Sequence, residues 1–128
     1  MMQQLLESLL EMPSVEGSMV MTDDGILVRS ALAENLDEES VAALSSGILT
    51  TIGRFLETGS GMTRIEEVVL SASEGKLVFV DLGRSFLVAV TRPNLRLSTD
   101  LVEIRSVAGK LRKVCEMKPG EKTGIPSR

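Results

Sequence analysis

The stretch "EGKLVFVDLGRSFLVAVT", residues 74–91, constrains the fold more than any other. Its two runs, "KLVFVDL" and "SFLVAV", are short, rich in Val, Leu and Phe, and nearly all apolar. Strands of that kind are covered on both faces or sit centrally in a sheet. With "TRIEEVVLSAS" ahead of them, and Glu74-Gly75 and Gly83-Arg84 as turns, they read as a three-strand meander. The rest of the chain must then supply helices to cover it.

Three segments do so. Residues 2–12 place Met2, Leu5, Leu6, Leu9 and Leu10 at helical spacing, and Pro13 stops the helix. The longest helical segment follows Asp37, its expected N-cap, with Glu38 and Glu39 at the positive end of the helix dipole. Val41, Leu44, Ile48, Ile52, Phe55 and Leu56 form its expected core stripe, and Gly59 its stop. Residues 97–115 give a last helix, capped by Ser98 or Thr99, with Leu97, Leu101, Ile104, Ala108, Leu111 and Cys115 along one face. Between the first two helices, "SVEGSMVMT" and "GILVRSA" read as paired strands. Val15, Gly17, Met19 and Met21 share one face of the first. Taking Asp24-Gly25 as a two-residue type I′ turn sets Met21 opposite Val28, Asp23 opposite Ile26 and Val20 opposite Arg29. The order is α-β-β-α-β-β-β-α: an α+β sandwich with a five-stranded antiparallel sheet. It makes one domain, residues 1–116, followed by a polar tail, 117–128, expected to be flexible.

Composition narrows the function. The 128 residues carry a net charge of −4 and only three aromatic side chains, all Phe. A nucleic-acid module needs a basic face and stacking platforms, so no nucleic-acid partner is expected. Without histidine the chain lacks the commonest general base and metal ligand. One cysteine, Cys115, forms no intrachain disulfide and suits a reducing cytoplasm; it reads as a small buried hydrophobe. The N-terminal apolar stretch is too short to span a bilayer and carries Glu7 and Glu11, so neither a signal peptide nor a membrane helix is expected.

The chemical motifs fail in turn. Gly75-Lys76 and Gly109-Lys110 lack the earlier glycine of a P-loop, since Leu70 and Ile104 stand there, and neither is followed by Ser or Thr. Asp23-Asp24-Gly25 does not open a calcium loop: with Gly25 as sixth position, Val20 and Ala31 occupy the first and twelfth, which should be acidic. The two aspartates are turn chemistry. Asp81 reads either as a buried acid or as a strand-end acid, exposed or paired with a neighbouring backbone group. Glu66-Glu67 reads as a solvated strand edge. No catalytic, cofactor or metal site is expected, and no enzyme activity.

Two features point to a partner instead. On the long helix Ala43, Gly47 and Thr50 form a small-residue stripe, which packs either closely on its own sheet or against a second chain. The strand "RIEEVVLSA" opens the meander, so it lies at a sheet edge, with no Pro or Lys in its apolar run to discourage pairing. Together they suggest a symmetric dimer with one sheet running through both subunits, and place Ala43, Gly47, Thr50, Glu67 and Val69 at its interface.

In this order and spacing, "VEGSMVMTDDGILVRS", "AALSSGILTTIGRFLE", "EGKLVFVDLGRSFLVAVT" and "LVEIRSVAGKLRKV" make the chain resemble the Roadblock/dynein light chain family over roughly residues 2–115. The small prokaryotic type, which includes a gliding-motility regulator that pairs with a Ras-like GTPase, is the most similar. The resemblance implies a profilin-like fold, a homodimer formed through the long helix and the edge strand, and a cytoplasmic platform for a Ras-like small GTPase that supplies the chemistry itself. Arg54 is the candidate for contacting the GTPase or supplying an arginine finger. A dimeric scaffold with no effect on nucleotide turnover is the alternative, and a small-ligand sensor of similar shape a third reading.

Overall fold

The apolar runs of residues 15–22, 67–72, 75–81 and 85–91 become strands. The computed structural model describes residues 1–58, 64–96 and 98–117. In chain order these are α1 (Met2–Leu10), β1 (Val15–Thr22), β2 (Leu27–Leu32), α2 (Glu38–Glu57), β3 (Glu67–Ala72), β4 (Gly75–Asp81), β5 (Ser85–Thr91) and α3 (Asp100–Met117). The five strands form one sheet in the order β2-β1-β5-β4-β3, with every neighbouring pair antiparallel. The expected α+β order is therefore the observed one. The expected stop at Gly59, the helical position of Leu97 and the tail after Met117 lie outside the described residues.

Helices cover both faces of the sheet, as the apolar central strands require. Val78, Val80, Leu87 and Ala89 point to the side of α1 and α3, where they meet Leu6, Leu9, Leu101, Ile104 and Leu111. Phe79 and Val88 point to the side of α2. Residues of β4 and β5 thus alternate between two cores, and neither strand has a polar face to expose. The two sides are filled unequally. Helix α3 buries five hydrophobic residues, whereas α2 buries only Leu49 and Ser45. At about 1.5–3 kcal/mol for each large buried side chain, α2 is held far less firmly and uses less of its apolar surface.

The β1–β2 hairpin departs from the expected geometry. Gly25 has the left-handed φ of 93°, and no other residue of the loop has a positive φ. A type I′ turn needs positive φ at both central positions, so the connection is instead three residues, Asp23-Asp24-Gly25. The amide of Gly25 donates to the Thr22 carbonyl at 3.0 Å, and the amide of Thr22 to that of Ile26 at 2.8 Å. Met21 consequently pairs with Leu27, not Val28, and a bulge restores the expected Val20–Arg29 pairing. A second irregularity between Val15 and Gly17 turns Val15 towards α1 and α3, away from Met19 and Met21.

Gly25 also seats the hairpin on α2: a Cβ there would lie 2.2 Å from Ser46 Oγ. Gly25→Ala is therefore expected to destabilise the fold by about 2 kcal/mol, from the left-handed backbone alone, plus the displacement of Ser46. A lower urea midpoint with unchanged slope checks it.

Candidate functional site

The side of α2 away from the sheet is the first unusual surface. Leu49, Ser45 and the half-buried Ala42 and Ile52 define the inner direction of the helix. At 100° per residue, Gly47 falls opposite that direction, with Ala43, Thr50 and Arg54 to one side and Leu44, Thr51 and Phe55 to the other. Ala43, Gly47, Thr50 and Arg54 are all exposed. A Cβ built on Gly47 or Gly53 would meet nothing within 4 Å, so neither glycine serves packing within this chain. The reading of the stripe as close packing on its own sheet is thereby set aside. Leu44 and Phe55, expected in the core, are 56% and 54% exposed. They extend the apolar arc of α2 past the width its own sheet covers.

The edge strand is the second. The amide of Asp81 donates to the Glu66 carbonyl at 2.9 Å, which makes 66/81 a hydrogen-bonded pair and sets the phase of the ladder. Because such pairs alternate along an antiparallel ladder, Val68 and Leu70 direct their backbone groups to β4. Glu67, Val69 and Ser71 direct theirs outward, to no strand among the described residues. The opposite edge is treated differently. On β2, the outward carbonyl of Ser30 accepts from Gln3 Nε2 at 2.9 Å and that of Val28 from Arg29 at 2.9 Å. Side chains therefore cover carbonyls at one edge of the sheet, and β3 is the edge available for pairing.

Both features open on the same side. Val68, Leu77 and Phe86 face α2 but are only partly buried, and Leu70 is 39% exposed. The outer stripe of α2, this half-covered strip of sheet and the β3 edge are thus all left uncovered by the described residues, with Leu44 and Phe55 exposed beside the stripe.

On the other side of the sheet β3 is tied down. Glu67, expected as a solvated edge residue, accepts two hydrogen bonds from Arg105 of α3, at 2.7 and 2.8 Å. That pairing, opposed by partial burial, holds the Glu67 carboxyl below its ordinary value. Val69, next on the same face, packs against the α1–α3 core. A group with a depressed folded pKa contributes stability that is present above its unfolded value and lost as pH falls through the folded one. The stability difference between the native chain and Glu67→Gln is accordingly expected at neutral pH, to shrink below the ordinary carboxylate range, and to vanish once Glu67 is protonated. Urea midpoints measured across that range check it.

Two further expectations need correction. Asp81 is both buried and paired: it sits at the end of β4, 3% exposed, accepting from Arg64 Nε at 2.8 Å and from the Gly83 amide at 2.9 Å. Arg64 lies 17 residues upstream, so no local spacing signals that partner. Cys115 is half-buried rather than buried, with Ser85 Oγ at 4.0 Å. Among the described residues no three His, Cys, Asp or Glu side chains come together as metal ligands, and no helix is long and apolar enough to cross a membrane.

Comparison with known proteins agrees with this architecture. An uncharacterized protein of Methanocaldococcus jannaschii, MJ0714, is 29% identical over 112 residues, covering 88% of this chain and 94% of that protein. The structure of Myxococcus xanthus MglB superposes with a TM-score of 0.79 at 20% identity, covering 90% of this chain and 94% of that one. Acanthamoeba castellanii profilin IA shares the fold more distantly, with a TM-score of 0.61 at 12% identity over 90% of this chain and 99% of its own. The fold is thus profilin-like, and residues 1–92 match the Roadblock/LC7 domain family. With that match spanning most of the chain, from α1 through the last strand, the protein belongs to the Roadblock/LC7 domain family.

Proposed function

We propose that the chain is a non-catalytic homodimeric regulator of a Ras-like small GTPase. The observation that carries this reading is the coincidence, on one side of the molecule, of an exposed small-residue stripe with apolar flanks on α2 and a β3 edge whose outward backbone groups meet no strand among the described residues. Two copies related by a two-fold axis would pair Glu67, Val69 and Ser71 across the edge and bring the α2 stripes, Ala43, Gly47 and Thr50, together. The sheet would continue through both subunits, and Leu44 and Phe55 would be covered.

The GTPase enters through family membership and the likeness to MglB. The paired α2 helices would offer the switch region a rigid surface, and binding would favour one switch conformation over another, changing hydrolysis or exchange by population shift. Arg54, exposed in the last turn of α2, is the residue this reading assigns to contact with the GTPase.

The test is GTP turnover and nucleotide exchange by a Ras-like GTPase from the same organism, with and without this protein. A rate change that saturates with protein is expected. Measured binding with both rates unchanged would overturn the regulator and leave the dimeric scaffold. A rate change that persists in Arg54→Ala would remove the arginine from the mechanism.

A further inference from the structure

The β3 edge is complementary to itself. When two identical strands pair antiparallel about a two-fold axis, residues at equal distances on either side of the axis face each other. With the axis at Val69, Val68 meets Leu70, Glu67 meets Ser71, and Glu66 meets Ala72. An apolar side chain then faces an apolar one, and a carboxylate faces a hydroxyl that can donate to it. Just beyond the strand, the same count brings Arg64 level with Glu74, base against acid. Both are exposed. The Arg64 side chain is 62% exposed although it holds Asp81, and Glu74 lies in the β3–β4 turn.

We infer that a second copy of this chain pairs at β3 in one register, with the two-fold axis at Val69. The inference rests on the homodimer reading and fixes which residues meet in it. The phase of the ladder limits the choice. Only Glu67, Val69 and Ser71 direct their backbone groups outward, so these must face one another, and a slide that sets Val69 opposite Val68 or Leu70 breaks the ladder. Among the allowed axes, the one at Val69 gives each of the three a strand residue to bond. An axis at Leu70 sets Glu67 opposite Ser73, in the turn, and an axis at Val68 sets Ser71 opposite Ile65, ahead of the strand. Each of these forfeits a bonded pair within the strands. Charge and polarity agree. The Leu70 axis opposes Glu66 to Glu74, and like charges directly across a ladder are destabilising. The Val68 axis sets Glu66 against Leu70, which is 39% exposed in the single chain. The Val69 axis avoids both and covers Leu70 with Val68 of the partner subunit, on the α2 side of the sheet. On the other side Glu67 keeps its two bonds from Arg105 and gains Ser71 of the partner subunit as a neighbour.

Disulfide cross-linking reads the register. Full-length chains carrying Cys115→Ser and one new cysteine, Val68→Cys or Leu70→Cys, are oxidised at micromolar concentration, singly and as an equal mixture. In the Val69 register Val68 and Leu70 of the two copies form a non-hydrogen-bonded pair, with Cα atoms about 4.5 Å apart. Each lies roughly 7–8 Å from its own counterpart, too far for a disulfide. The mixture is therefore expected to give a covalent dimer on a non-reducing gel, and either variant alone a single chain. A covalent dimer from Leu70→Cys alone, or from Val68→Cys alone, would place the axis at that residue and overturn the register while leaving the homodimer standing. Light scattering on the same chains before oxidation separates the two failures. A single-chain mass would overturn the homodimer itself, and the register with it. Twice that mass with no cross-link from either variant or the mixture would overturn pairing at β3.

Discussion

Val69→Pro is expected to leave the fold standing and convert the protein to a monomer. The register of β3 makes this selective. The Val69 amide points away from β4, so losing its N–H removes no ladder bond within the chain. At a symmetric β3 edge the same change deletes one hydrogen bond in each copy and places two proline rings where the partner strand must lie. With about 1 kcal/mol for each lost bond and more for the rings, association should weaken at least about a hundredfold. Light scattering at micromolar concentration should give the 13.8 kDa chain mass for the variant and twice that for the native protein. Val68→Pro supplies the contrast, since the Val68 amide faces β4 and its loss should detach the edge strand and lower stability. A native-like dimer of Val69→Pro would move the interface away from β3.

Gly47→Arg is expected to separate stability from assembly in opposite directions. The glycine is helical and exposed, and a Cβ built on it would meet nothing within 4 Å, so in the isolated chain a side chain starts there without a clash. Arginine is also the better helix former, by about 0.8 kcal/mol. The folded monomer should become slightly more stable to urea. In a dimer whose α2 helices approach at Gly47, the same side chain would occupy the contact and bring two like charges together across the axis, and the dimer should be lost. A variant that stays dimeric would show that α2 faces solvent in the assembly. A variant that is destabilised would show that the stripe packs within the chain after all.

The element order was legible in the sequence because apolar runs bounded by Gly, Pro and Asp leave few alternatives. The details that were not legible share one cause, dependence on contacts distant in the chain. "DDG" announces a hairpin, but not that the loop holds three residues or that Gly25 lies against Ser46 of α2. The irregularities near Val20 and Val15 reverse side-chain faces with no mark in the local pattern. Leu44 and Phe55 show a subtler limit. Hydrophobicity says that a residue prefers cover but not what covers it, so the apolar arc of α2 reads as one core stripe although its own sheet covers only part of it. The ion pairs Glu67–Arg105 and Asp81–Arg64 join residues 38 and 17 positions apart, beyond any helical or strand period. The small-residue stripe and the edge strand were legible because each breaks a local habit: glycines inside a helix, and an apolar edge run without a guarding Lys or Pro.

The central claim, that two copies join through the β3 edge, is tested most directly by hydrogen exchange at single amides. Within one chain Val68 and Leu70 are bonded to β4, whereas the amides of Glu67, Val69 and Ser71 face outward. Measured at micromolar concentration, all five amides are predicted to be protected, and protection of the outward three should fall on dilution while that of Val68 and Leu70 remains. If Glu67, Val69 and Ser71 exchange as fast as in an unstructured peptide at every concentration, beside a protected Val68 and Leu70, no strand pairs at that edge and the account of the dimer is contradicted.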